Sequence, residues 1–185
     1  MHAIGDAAAR LALDAFAATG ARGSLEHAQL TRPADLSRMA ALGVRASVQP
    51  AHLLDDRRVV ERLWPDRLER CFAFASMLSA GVSLRLGSDA PVSPLDPWLA
   101  MAAAVHRSGD ARGPWNPAEA LTARQALAAS TDGRGRLAVG HPGDLVLLDV
   151  DPTAGRGDSA AVARHLRSVR VAATLLGGRP THLSL

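Results

Sequence analysis

The sequence lacks lysine and tyrosine entirely, and it has one cysteine, Cys71, and only 3% aromatic residues. A single cysteine excludes an internal disulfide framework and is typical of a reducing compartment, so we expect a cytoplasmic protein. No apolar run approaches the roughly 20 residues that cross a membrane. Asp6 and Arg10 interrupt the first apolar stretch. The sequence therefore predicts neither a membrane segment nor a signal peptide.

All 21 basic residues are arginines, and the net charge is +3. They are scattered among 18 acidic residues instead of being collected in one run. Nucleic-acid-binding surfaces concentrate cations on one face and add aromatic side chains that stack on bases. The dispersed charge and the few aromatics therefore favour a small-molecule partner over nucleic acid.

Short apolar segments alternate with helical periodicities along the first two-thirds of the chain. The predicted strands cover residues 24–28, 44–49 and 82–86. The predicted helices cover residues 6–18, 31–43, 67–79, 97–105 and 117–129, and a polar loop is expected around residues 55–58. Such alternation predicts βα units and a parallel sheet, in which ligands collect at the carboxyl ends of the strands.

The character of the chain changes near its C-terminus. Apolar segments at 144–149 and 169–176 are bounded by glycine-rich turns, which predicts a small β subdomain. We therefore divide the chain into residues 1–134 and 135–185.

Candidate metal ligands lie where predicted strands lead into loops. His2, His27 and Asp89 supply imidazole nitrogen and carboxylate oxygen, which zinc and similar divalent ions accept. Gln49 and His52 follow another predicted strand, and we expect them to contact substrate. Taken singly, each motif has an ordinary interpretation, because an isolated histidine is commonly a surface residue and Gly-Ser-Asp-Ala-Pro is commonly a turn.

Four motifs in this order resemble those of metal-dependent amidohydrolases, in particular the amidohydrolase-3 or YtcJ-like branch, which includes N-substituted formamide deformylases. They occupy residues 2–6, 26–29, 47–52 and 87–92. Two C-terminal segments, residues 140–149 and 171–179, resemble the closing strands of that superfamily.

This resemblance implies a (β/α)8 barrel with an attached β-sandwich. The chain would supply the C-terminal part of the TIM barrel, strands six to eight, followed by a small β-sandwich segment. His2, His27 and Asp89 would bind a divalent metal, expected to be zinc, with one or two ions in the complete enzyme. Asp89 would also be the catalytic proton shuttle. The His-x-His pair and the bridging ligand of the family have no counterpart in this sequence.

The function implied by the resemblance is hydrolysis of carbon–nitrogen bonds outside peptides, in amides or formamide-like small molecules. Three alternatives remain open at this point. Met1 is an internal methionine of a longer enzyme, or the chain is an inactive truncated remnant, or it is one half of a split enzyme that acts as an interaction module. The last alternative includes pairing with a missing N-terminal half or with a second copy as a homo-oligomer.

Overall fold

A computed structural model describes residues 1–134 and 137–184. Within them the chain forms an α/β structure with one parallel and one antiparallel sheet. The parallel sheet has the order β1-β2-β3-β4, with β1 at His2–Ala3, β2 at Ser24–His27, β3 at Arg45–Val48 and β4 at Leu84–Leu86. The predicted α/β class and parallel sheet are confirmed.

The helices alternate with these strands, as the sequence predicts. Their bounds are α1 Asp6–Thr19, α2 Pro33–Ala41, α3 His52–Leu63, α4 Phe74–Ser79, α5 Pro97–His106, α6 Ala123–Ser130 and α7 Ser159–Ser168. Helix α1 ends at Gly20, which adopts a left-handed φ of 64° and donates its N–H to the Phe16 carbonyl. Helix α6 begins with a capping box between Thr122 and Gln125. Among the described residues, no helix has both the length and the apolar character of a membrane span.

The core lies between the parallel sheet and its helices. Leu25, Ala46, Val48 and Leu84 on the strands are buried, and they pack in one cluster with helical residues such as Leu13. The parallel register pairs Ala3 with His27 and Val48 with Leu86. The carboxyl ends of the strands are therefore level with one another, and the loops that follow them meet at one edge of the sheet.

The antiparallel sheet comprises β5 at Leu145–Leu148, β6 at Val171–Leu176 and β7 at Arg179–Leu183, in that order. Strands β5 and β6 fall within the two apolar segments, residues 144–149 and 169–176, that the sequence predicts as strands. Helix α7 lies between these two strands in the chain and packs against α5, where His106 Nδ1 lies 3.0 Å from Ser159 Oγ. The predicted division between residues 134 and 135 stays a prediction, because Gly135 and Arg136 lie outside the described residues.

Some predicted elements were wrong. The polar loop around residues 55–58 is part of helix α3, because Leu53 and Val60 bury one face of that helix and Arg57 bonds Glu61 one turn later at 2.9 Å. The three predicted parallel strands are joined by a fourth, β1, which pairs with β2.

Two predicted helices are interrupted. The segment 67–79 forms a 3₁₀ turn at Leu68–Arg70 and the short α4, since Cys71 pairs with Leu30 and Phe72 has a left-handed φ of 52°. The segment 117–129 divides in the same way, into a 3₁₀ turn at Pro117–Glu119 and α6.

Candidate metal centre

The carboxyl ends of the four parallel strands bring together all of the predicted site residues. His2 lies in β1 and His27 ends β2, with His2 Nδ1 3.0 Å from His27 Nε2. Gln49 directly follows β3, and its Oε1 lies 3.0 Å from His27 Nδ1. His52 begins α3, and its Nε2 lies 4.0 Å from Asp89 Oδ2 in the loop after β4.

Gln49 determines the orientation of the His27 ring. Its amide nitrogen donates to the Ser47 carbonyl oxygen at 3.3 Å, so its amide oxygen faces His27. This contact is a hydrogen bond in the tautomer whose Nδ1 carries the proton, and the other ring nitrogen, Nε2, faces His2 Nδ1. In many metal-binding histidines, the ring nitrogen that does not face the metal donates a hydrogen bond to a neighbouring acceptor, and this bond orients the ring. Gln49 is buried and directly follows β3, so the end of that strand sets its position relative to His27.

His27, His52 and Asp89 form a compact set of potential cation ligands. Each offers one ligand atom, and these atoms lie within 4.8 Å of one another. The imidazole rings of His27 and His52 are stacked, with centroids 6.0 Å apart. The Asp89 side chain is 37% exposed, whereas the Nε2 atom of His52 is buried without a hydrogen-bond partner among the described residues. An orphaned buried nitrogen beside a carboxylate fits a bound cation.

Glu26 adjoins His27 but belongs to a different hydrogen-bond network. Ser24 Oγ donates to its carboxylate at 2.6 Å. Partial burial acts to raise the pKa of Glu26, but hydrogen bonds from Ser24 and Ser47 and the positive N-terminus outweigh burial and lower the pKa. Glu26 therefore stays ionised near His2 and adds negative charge beside the cluster of imidazoles.

Asp6, the first residue of α1, joins three segments of the chain, a role that the sequence did not predict. Its buried carboxylate is contacted by Arg32 at 3.2 Å, Arg70 at 3.4 Å and Arg67 at 3.5 Å. Burial acts to raise the pKa of Asp6, but these three arginines outweigh it and lower the pKa. The loops after β1 and β2 and the turn after α3 are thus joined at one carboxylate. The sequence signal was the position of Asp6, four residues after His2.

The comparisons with known proteins agree with this geometry. The model of the amidohydrolase family matches residues 1–182. The chain belongs to the amidohydrolase family. It is 33% identical over 172 residues to the putative amidohydrolase YtcJ of Bacillus subtilis, covering 83% of this chain and 32% of that protein. It is 32% identical over 170 residues to the N-substituted formamide deformylase of Arthrobacter pascens, covering 82% of this chain and 31% of that protein.

A solved structure shows the same relationship in three dimensions. An uncharacterised metal-dependent hydrolase of Pyrococcus horikoshii superposes with a TM-score of 0.64 at 38% identity, covering 69% of this chain and 27% of that one. This amidohydrolase-family chain spans about a third of the length of the two curated relatives. The predicted family is confirmed, and a divalent metal is the cofactor that these relatives indicate.

Proposed function

We propose that this chain is the metal-binding and proton-transferring part of a hydrolase that cleaves carbon–nitrogen bonds outside peptides, in amides or formamide-like small molecules. The observation that carries the proposal is the convergence of imidazole and carboxylate ligands from neighbouring strand ends, with His27 held between His2 and Gln49. The name of the Arthrobacter relative, which deformylates N-substituted formamides, supports the substrate class.

In this proposal His2, His27 and Asp89 hold one or two divalent ions, zinc by the chemistry of the donor set. The ion supplies a positive charge that polarises the scissile carbonyl and makes water nucleophilic at neutral pH. Asp89 accepts the proton of the attacking water and returns it to the leaving nitrogen. Its side chain is exposed, on a loop where its φ is 58°. Gln49 orients His27, and Gln49 and His52 line the side from which substrate approaches.

The architecture that we propose is the C-terminal part of a (β/α)8 barrel, with residues 135–185 contributing to a composite β-sandwich. The parallel sheet, the intervening helices and the position of the site at the carboxyl ends of the strands support it. In such a barrel, further ligands and the remaining substrate contacts come from other strands.

A second candidate function follows from the sheet edges. Among residues 1–134 and 137–184, β1 pairs only with β2 and β4 only with β3, so each has one edge without a strand partner. Open edges of this kind pair with strands of another chain. An interaction module, one half of a split hydrolase whose other strands belong to a separate chain, is therefore the alternative to one part of a single longer enzyme chain.

The test is a hydrolysis assay on a panel of N-substituted formamides and N-acyl amines with zinc, manganese or cobalt. It uses the 185-residue chain and a chimera in which this chain replaces the matched 170 residues of the Arthrobacter deformylase. We expect metal-dependent amine release that falls at least about 100-fold in Asp89→Asn, because general acid–base catalysis contributes on this scale. The matched control Asp55→Asn, on the exposed face of α3, should retain activity.

Activity of the chimera alone supports the proposal that this chain is one part of a larger hydrolase, and activity of the 185-residue chain alone would show that it needs no further strands. If neither protein hydrolyses any member of the panel, or if Asp89→Asn turns over normally, the proposed function is wrong.

A further inference from the structure

The loop that follows Asp89 exposes a cluster of apolar side chains. Residues 90–95, with the sequence Ala-Pro-Val-Ser-Pro-Leu, include no charged side chain. Val92 is 72% exposed and Leu95 is 84% exposed, whereas Ser93 between them is 2% exposed. Clustered apolar side chains at the surface commonly mark a site of contact, because removing them from water is favourable. The loop therefore calls for an occupant.

The backbone holds this loop in place at both ends. Where it begins, the Gly87 N–H donates to the Val48 carbonyl oxygen at 2.9 Å. Where it ends, Asp96 accepts from the Leu99 N–H at 3.0 Å at the start of α5 and forms an ion pair with Arg167. Prolines also fix the backbone φ at two of the six positions between these anchors. The apolar side chains are thus preorganised, and a ligand that contacts them orders little additional chain.

A turn places Val92 beside the proposed proton shuttle. The Val92 N–H donates to the Asp89 carbonyl oxygen at 2.9 Å. In a turn of this kind the first and fourth Cα atoms lie within about 7 Å of each other. Leu95 follows three residues later on the same loop. The exposed apolar side chains therefore adjoin the carboxylate from which, in the proposed function, the leaving nitrogen receives its proton.

The position of the leaving nitrogen determines what its substituent contacts. To protonate that nitrogen, the Asp89 carboxylate has to lie within about 2.6–3.2 Å of it. The substituent begins one covalent bond beyond the nitrogen, so its first atoms lie within reach of the side chains that flank Asp89. The scissile carbonyl faces the metal, which leaves the substituent on the side of the loop.

We infer that Val92 and Leu95 bind the substituent on the leaving nitrogen and that this substituent is an uncharged alkyl or aryl group. The inference rests on the proposed function and narrows its substrate class. An anionic substituent, as in an N-formyl amino acid, is disfavoured, because residues 90–95 supply no cation and the neighbouring Asp89 carboxylate repels negative charge.

The first test compares kcat/KM of the chimera for N-methylformamide and N-butylformamide. Three additional methylenes favour the butyl substrate by up to about 60-fold, at about fourfold for each methylene removed from water. We expect a preference of at least about 10-fold. Val92→Asn combined with Leu95→Asn should reduce it to less than about threefold, since the amide side chains offer little apolar surface. The matched control Leu11→Asn, at a 69% exposed position on α1, should leave the preference unchanged.

Leu95→Arg tests the same contact through a gain of activity. N-formyl-β-alanine is similar in length to N-butylformamide but ends in a carboxylate, with which a guanidinium at position 95 can pair. We expect kcat/KM for N-formyl-β-alanine, relative to that for N-butylformamide, to rise at least about 10-fold over the wild type. A folding defect lowers both values and does not produce such a reversal.

The second test requires no turnover. An N-alkylformamide that carries a diazirine in its alkyl chain is photolysed with the 185-residue chain and with the chimera, and each protein is then digested with trypsin. Cleavage after Arg85 and Arg107 releases residues 86–107 as one peptide, which includes Val92 and Leu95. We expect labelling of Val92 or Leu95 in at least one of the two proteins, and excess N-butylformamide should suppress it.

The outcomes separate this inference from the proposed function. If the double substitution leaves the butyl preference intact, or if neither protein gives suppressible labelling at Val92 or Leu95, the loop does not bind the substituent, while the proposed hydrolase function stands on its own assay. A lowered melting temperature of the double variant with an unchanged preference would show that the loop packs against other strands of a longer enzyme instead. Suppressible labelling of this loop without hydrolysis of any formamide would support the apolar site and contradict the proposed function.

Discussion

Replacing Gln49 tests whether the metal centre depends on the orientation of His27. The amide oxygen of Gln49 accepts from His27 Nδ1 at 3.0 Å, and its nitrogen is held by the Ser47 carbonyl at 3.3 Å. Gln49→Leu keeps a side chain of similar size but removes both contacts. His27 Nδ1 then loses its acceptor, and the ring is no longer held in one orientation.

The expected magnitude follows from the position of Gln49 outside the ligand set. Loss of a hydrogen-bond partner behind a metal-binding histidine weakens metal affinity about 10–100-fold. This corresponds to about 1.4–2.7 kcal/mol of binding free energy. The free energy of unfolding should also fall by about 1–2 kcal/mol, since the Ser47 carbonyl and the His27 N–H lose partners.

The assay is a zinc competition titration combined with urea unfolding of each variant. Gln29→Leu is the matched control, because Gln29 is also buried and donates to Asp56 at 2.8 Å, but its amide does not contact the imidazoles. Gln49→Glu should restore affinity, since a carboxylate accepts the same hydrogen bond from His27. A zinc Kd for Gln49→Leu within about twofold of that of Gln29→Leu would refute the reasoning, because loss of an orienting contact must cost more.

Two further predictions concern stability. The pKa of Asp6 is lowered in the folded state, so its contribution to stability is present above the ordinary carboxyl pKa of about 3.9 and is lost as the pH falls through the folded-state value. Asp6→Asn should therefore flatten the fall in unfolding free energy in urea titrations below about pH 5, and an unchanged slope would contradict this. The fully buried Arg107 donates to the carbonyls of Trp115, Phe72 and Glu119, so Arg107→Leu should cost about 2–4 kcal/mol. A cost below about 1 kcal/mol in urea unfolding would show that these carbonyls find other partners.

Local patterns predicted much of the fold and the position of the site. Glycine stops, proline starts and apolar periodicity identified α1, α2 and β2 to β4, because these signals act within a few residues. The helix at 52–63 was not predicted, because its run of charged residues is typical of a loop. Its helical character depends on the burial of Leu53 and Val60, which occurs only in the folded structure. Strand β1 has only two residues, and its hydrogen bonds exist because β2 lies beside it.

The sequence by itself determined which chemical groups arrive at the carboxyl ends of the strands. His2 lies in β1, His27 ends β2, and Gln49 and Asp89 follow β3 and β4, and the order of their motifs carries the family resemblance. Only the tertiary structure decided which of these groups meet. The pairing of His52 with Asp89 and the contact of Gln49 with His27 join residues 37 and 22 positions apart, respectively. Distances of this kind depend on strand register and helix packing, which arise from burial across the whole core and leave no signal in a local stretch of sequence.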